Sequence, residues 1–395
     1  MQSDLLCDFN DFVEQEKISV QSDGKYSHTK QVATGLDCFT KYYKQCDIIT
    51  LKKLINDVQI STKMTHKVFG PIIGYAISPN NGLLVSREYP RLGTLNDAIS
   101  SRDPMLEDPT NKMKIIHGIA SALLYLHSNK ITLTNLNSST IWIDENCEPI
   151  IGDLSYSCID GPDFMSNFEF DEKAFVYYSP ECLANGTKKV TNKADIFAFG
   201  MVLYHLLSGE PPSQLSSREE LYEERYYGGR PQFGPNFPPM FEELISMCWE
   251  SEIDQRPTAQ EIIDVLSSSD LILDGTNIEK YNNYIKKVAF TKEDDAFEVL
   301  NKEKADIMDL LELTKTTFSD ATLEYQNHLE ALQQEIEELK QGNKNVPSYE
   351  NHETQIVPEK NEKEEKNPLL LPLIASSSIA ALSVVALFFM KRRMK

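Results

Sequence analysis

The chain has 395 residues, with 39 Lys+Arg against 60 Asp+Glu and a formal net charge of −21 at pH 7. That length accommodates two or three units, and 41% hydrophobic with 25% charged residues is the composition of a globular chain with a real core. So acidic a balance excludes nucleic acid as a partner, because phosphates demand a basic face. The seven cysteines are scattered with no C-x-x-C pair, which excludes a zinc knuckle or a disulfide framework, so they read as reduced, buried thiols facing the cytosol.

Met1 to Asn10 has neither a basic n-region nor an apolar run, so no secretory signal is predicted. Cys38 to Tyr43 alternates as a half-buried strand, and Ile77 to Tyr89 reads as a hairpin turning at Asn81-Gly82. Asp108-Pro109 supplies the N-cap and first position of a helix, whose apolar stripe is Ile116, Ile119, Leu123 and Leu126. Ile141 to Asp153 predicts a second hairpin, turning at Asp144-Glu145-Asn146. Ile196 to Leu207 is apolar nearly all round, hence buried, and stops at Ser208-Gly209. Thr258 and Glu261 form a capping box that opens a last helix. Residues 10–268 therefore predict one α+β domain: a small β-rich lobe over about 10–90 and a larger helical lobe over about 91–268.

Residues 278–342 are expected to be helical. Tyr325, Leu329, Leu332, Ile336 and Leu339 follow the spacing of a coiled-coil seam, a pattern that also fits a helical hairpin packed on the main domain. A charged linker spans 343–368. Residues 369–390 form an uncharged run of 22 residues, about 33 Å as a helix, which matches a hydrocarbon core of roughly 30 Å. Only the basic tail 391–395 follows, so the run predicts a transmembrane tail anchor with residues 1–368 in the cytosol, on a membrane of the mitochondrial-outer or endoplasmic-reticulum type. Protein partners are expected through the main domain and the coil, with self-association through the coil as one option.

The local words of the main domain, taken in order, resemble the eukaryotic protein-kinase fold, most closely the tyrosine-kinase-like group. Tyr125-Leu126-His127-Ser128 precedes the catalytic-loop position. Tyr178-Ser179-Pro180-Glu181 looks like the A-P-E motif, and Asp195-Ile196-Phe197-Ala198-Phe199-Gly200 like the start of the buried helix. Cys248-Trp249 and Gln255-Arg256-Pro257-Thr258 resemble the words near the domain end. The resemblance implies a bilobal fold, a buried ion pair between Glu181 and Arg256, and Asp195 accepting hydrogen bonds from catalytic-loop amides.

The same resemblance shows the chemical words altered. The H-R-D-x-x-x-x-N run falls on Leu133 to Thr140, so the catalytic aspartate position is Asn135, the following lysine position is Asn137, and the metal-binding asparagine position is Thr140. Phosphoryl transfer needs those groups together with a phosphate cradle and a lysine on the phosphates. The D-F-G position is Asp153-Leu154-Ser155, where Asp153 either holds one Mg²⁺ or caps a turn. Lys41 is the strand-lysine candidate, or a solvated edge lysine, with Asp57 at its helix-carboxylate partner's position. Gly24 is the one glycine where a glycine-rich loop belongs, and Arg87 stands where the adenine pocket is guarded and would block it. The expectation is a membrane-anchored pseudokinase serving as a scaffold or allosteric interaction module, with no cofactor required; the alternative is a weak or atypical Ser/Thr kinase binding ATP and Mg²⁺ through Lys41 and Asp153.

Overall fold

A computed structural model describes residues 5–289 except 6, 22–23, 44–47, 65, 79–81, 160–171, 185–189, 216 and 269–270. The coil beyond 289, the linker and the anchor at 369–390 lie outside the described residues. Among those described, no helix is long and apolar enough to cross a membrane.

The first lobe is built from β1 (Phe12–Gln21), β2 (Gly24–Gln31), β3 (Asp37–Tyr43), α1 (Ile48–Ser61), β4 (Ile72–Ser78) and β5 (Gly82–Glu88). The strands form an antiparallel sheet in the order β1-β2-β3-β5-β4. The hairpin expected from Ile77 begins five residues earlier, at Ile72. Gly74, which interrupts the alternation there, is a packing requirement: a Cβ on it would lie 2.6 Å from Cys7 Sγ and 3.0 Å from the Phe12 ring. The backbone of Leu5 and Cys7 pairs with Tyr75 at 2.8 and 2.9 Å and covers the β4 edge. Side chains alternate across a sheet, and the register places Tyr26 opposite Lys41, Phe39 opposite Arg87, and Lys41 opposite Val85. Those side chains therefore share the face turned toward the second lobe.

The second lobe comprises α2 (Leu95–Ser100), α3 (Pro109–Ser128), the short strands β6 (Ile131–Thr132), β7 (Ile141–Ile143), β8 (Pro149–Ile151) and β9 (Cys158–Ile159), then α4 (Pro180–Leu183), α5 (Asn192–Ser208), α6 (Arg218–Tyr226), α7 (Pro239–Cys248), α8 (Ala259–Leu266) and α9 (Ile278–Val288). Asp108 caps α3 through the Thr110 amide, with Pro109 at its first position. Its predicted stripe is fully buried. Helix α5 is buried along almost its whole length and ends at Gly209 with φ +74°, a left-handed conformation glycine adopts without strain. The Thr258–Glu261 box caps α8.

Packing continues past residue 268, where sequence alone ended the domain. Helix α9 lays Tyr281, Tyr284 and Val288 against α3, so the first turns of the predicted 278–342 segment belong to this globular unit. Gly118, in the middle of α3, makes the contact possible. A Cβ there would lie 2.5 Å from Pro149 Cγ and inside contact distance of the Tyr284 hydroxyl.

Candidate functional site

Glu181, Arg256 and Asp195 are each engaged by hydrogen bonds within the helical lobe. Arg256 donates from both terminal nitrogens to Glu181, at 2.6 and 3.0 Å, and it is fully buried. Burial works against the Glu181 charge, but Arg256 outweighs it and holds that carboxyl below the usual range. Asp195, at the start of α5, accepts the Leu133 and Thr134 amides at 2.8 and 2.7 Å and the His127 ring N–H at 2.9 Å. Thr134 has φ +65°, a strained turn that these bonds hold in place. Sequence reasoning missed Arg225 on α6. It is buried, donates to the carbonyls of Phe175, Val176 and Tyr178, and faces the Phe197 ring. Among the described residues no carboxylate lies at hydrogen-bond distance from it; burial lowers its pKa to about 10. The available signal was an arginine in the last turn of a glutamate-rich helix.

Between the lobes, Lys41 and Asp153 meet as a buried ion pair at 2.8 Å. Lys41 is thus no solvated edge residue. Asp153 is fully engaged by its own chain: Oδ2 accepts from Lys41 Nζ and, at 2.6 Å, from the Tyr26 hydroxyl, while Oδ1 accepts from the Ser155 amide and hydroxyl at 3.0 and 2.6 Å. Burial alone would raise the Asp153 carboxyl; Lys41, Ser155 and Tyr26 outweigh it and hold the group well below the usual carboxylate range.

Asp57, at the helix-carboxylate position, makes its ion pair with Arg87 and feels the Lys41 charge without a hydrogen bond to it. The aspartate is one methylene shorter than a glutamate, and its Oδ1 instead takes Arg87 at 2.6 Å, the Ser61 hydroxyl at 3.1 Å and the Leu154 amide at 3.1 Å. Arg87 also donates to Ser61 Oγ at 2.9 Å. Asp57 holds the Arg87 guanidinium above its ordinary pKa against the opposing pull of burial. Arg87 therefore turns toward α1, behind the cleft, and is not the side chain that fills it.

Aromatic rings fill the cleft. Tyr26 stacks on Phe39 with ring centroids 5.0 Å apart, and Phe39 meets Trp142 of β7 at 3.8 Å. All three are buried, with Ile18, Tyr89 and Ile150 packed around them. Gly24 is required by the sheet: a Cβ there would collide with the Tyr42 carbonyl of β3.

The catalytic-loop positions are likewise committed to one another. Asn135 Oδ1 accepts from the Tyr178 hydroxyl at 2.9 Å and from Asn137 Nδ2 at 3.1 Å. The Thr140 hydroxyl donates to the Asn135 or Asn137 carbonyl, at 2.9 or 3.0 Å. Tyr177 joins Ser138 Oγ at 2.7 Å and His205 Nδ1 at 2.8 Å. An ionised carboxylate acting as proton acceptor is missing at Asn135, and an amide does not replace it.

The groups present do not fit Mg²⁺–ATP in this arrangement. The Asp153 oxygens are taken by four protein donors, the Thr140 hydroxyl by the backbone, and the space against β3 by rings.

A five-stranded lobe on a helical lobe, joined at a lysine–aspartate pair and tied by Glu181–Arg256 and Asp195, is the architecture of a protein kinase domain. The family model for protein tyrosine and serine/threonine kinases matches residues 19–266, well over half of the chain, and the chain belongs to that family. It is 27% identical over 216 residues to serine/threonine-protein kinase STY46 of Arabidopsis thaliana, an alignment covering 54% of this chain and 36% of that protein. It is 28% identical over 279 residues to dual specificity protein kinase zakA of Dictyostelium discoideum, covering 64% and 35%. It is 23% identical over 223 residues to megakaryocyte-associated tyrosine-protein kinase of Rattus norvegicus, covering 56% and 46%. The chain thus spans less than half the length of these relatives.

Proposed function

We propose that the chain is a pseudokinase, a kinase fold that works as an interaction module and not by phosphoryl transfer. The observation that carries this reading is the self-sufficiency of Asp153, whose two oxygens are saturated by Tyr26, Lys41 and Ser155 in a cleft filled by Tyr26, Phe39 and Trp142. The asparagine at 135 supports it from the catalytic side. The uncharged run 369–390, long enough to cross a hydrocarbon core as a helix, supports placement of the domain at a membrane surface. Binding of a protein partner, rather than turnover, is then the output.

Retention of Lys41 and Asp153 at 2.8 Å favours a second reading, a weak Ser/Thr kinase in which Tyr26 swings aside to admit ATP. A phosphotransfer assay with labelled ATP and a generic basic protein separates the two, using Asp153→Asn, checked by circular dichroism to be folded at the assay temperature, as the control. The pseudokinase reading expects incorporation indistinguishable between wild type and control. Incorporation that Asp153→Asn abolishes would establish the second reading.

A further inference from the structure

Asn135 stands at the position of the aspartate that receives the attacking substrate hydroxyl in phosphoryl transfer. Its Oδ1 already accepts a hydrogen bond from a hydroxyl, that of Tyr178, at 2.9 Å. A general base engages the proton it removes over the same heavy-atom reach, roughly 2.6–3.2 Å. Both residues are buried, each 3% exposed. An amide oxygen accepts the hydrogen bond but does not take the proton, so the contact leads to no onward chemistry.

The segment carrying Tyr178 is held in that position from two directions. Next to it, Tyr177 meets Ser138 Oγ and His205 Nδ1 at 2.7 and 2.8 Å. From the other side, both arginines of α6 turn inward onto the backbone. Arg225 donates to the carbonyls of Phe175, Val176 and Tyr178. Arg218 donates to those of Leu183 and Ala184 at 2.8 and 2.9 Å. Hydrogen bonds from a charged donor are about twice as strong as neutral ones, so the chain from 175 to 184 is clamped on both flanks of Tyr178.

We propose that Tyr178 is an intramolecular stand-in for the substrate hydroxyl, an autoinhibitory contact that closes the acceptor side of this kinase fold. The closure deepens the pseudokinase reading and rests on it for its meaning, but it involves no nucleotide, so either can fail while the other stands. A tyrosine present only for packing would fill the same apolar cluster, with Ala174, Cys182, Leu183, Ala194 and Leu221. The two roles differ in whether position 135 becomes reachable once the ring is gone.

Thiol reactivity at that position, in the full chain, separates them. Asn135→Cys places a thiol under the Tyr178 hydroxyl, and alkylation by iodoacetamide is followed on its peptide by mass spectrometry. In Asn135→Cys/Tyr178→Ala the alkylation at position 135 should be at least about tenfold faster, because reactivity follows access. Cys248, fully buried in a different cluster, is the internal reference and should stay unreactive in both variants. Equal rates at position 135 with Cys248 unreactive would overturn the proposal, since Tyr178 would then not be what covers Asn135. If Cys248 becomes reactive in the alanine variant, the fold has opened and Tyr178→Phe decides instead. Loss of the hydroxyl alone should speed amide exchange in 133–140 and 175–178 by about threefold or more, with α3 unchanged. Unchanged exchange in both stretches would also overturn the proposal.

Discussion

Replacing Lys41 with Met should destabilise the fold by about 3–5 kcal/mol, the cost of leaving one member of a buried ion pair without its partner. Lys41 is 2% exposed and Asp153 5%, so neither charge can be rescued by water. Asp153→Asn should cost a similar amount, because it strands the ammonium. In Lys41→Met/Asp153→Asn no buried net charge remains, and the amide oxygen can take the Ser155 amide and hydroxyl while the amide N–H donates to the Tyr26 hydroxyl oxygen. The double variant should therefore recover much of the loss, giving a coupling energy of about 2–3 kcal/mol, at the upper end for neighbouring residues. Urea denaturation followed by tryptophan fluorescence is a suitable assay, since Trp142 packs on Phe39 in the same cleft. The acid limb supplies a second reading. With its folded pKa depressed, Asp153 contributes stability that is whole above its unfolded value of about 3.9 and is lost as pH falls below it. That portion of the limb should vanish in Asp153→Asn. Single variants that lose less than about 1 kcal/mol and combine additively would refute the reasoning, because the pair would then be a surface-like contact.

Gly118→Ala should dislodge α9, since the added methyl collides with Pro149 and Tyr284; the expected loss is about 1–3 kcal/mol, visible as faster amide exchange over 278–288, and unchanged exchange there would count against the packing role. Arg256→Ala should cost about 3–5 kcal/mol by stranding Glu181, whose side chain is 18% exposed, measured by chemical denaturation, and a loss within error would show that the lobe does not depend on the pair. Burial lowers the pKa of His117 to about 4, so the neutral ring contributes stability that is whole above its unfolded pKa of about 6.5 and is lost as pH falls from there toward the folded value. His117→Gln should flatten the stability profile between pH 6.5 and 4 by about 2–3 kcal/mol; an unchanged slope would mean that another group titrates there.

What sequence made legible was mostly what local rules decide. The Asp108-Pro109 start of α3, the Gly209 stop of α5 and the Thr258–Glu261 box each depend on residues a few positions apart, and the structure places them as expected. Glu181, Asp195 and Arg256 were readable because each sits inside a recognisable word. The choice of ion-pair partners was not readable. Lys41, Asp57, Arg87 and Asp153 could pair in more than one way, and the outcome turns on the short Asp57 side chain and on the register that sets Arg87 opposite Phe39. Tyr26, Phe39 and Trp142 each look like ordinary core residues in their own strands. Their joint occupation of the cleft exists only where the sheet meets the β7–β8 hairpin. The docking of α9 left one trace in sequence, a glycine in the interior of a helix where it costs stability unless something packs close.

The proposal that this kinase fold has its nucleotide site closed by its own side chains is tested most directly by thermal-shift titration of the chain with ATP, with and without Mg²⁺. A ligand at one hundred times its dissociation constant adds about 2.7 kcal/mol, and each kcal/mol moves the midpoint of a domain this size by about 2–4 °C. The account predicts no movement at millimolar ATP in either condition. A Mg²⁺-dependent rise of several degrees that Asp153→Asn removes would contradict it.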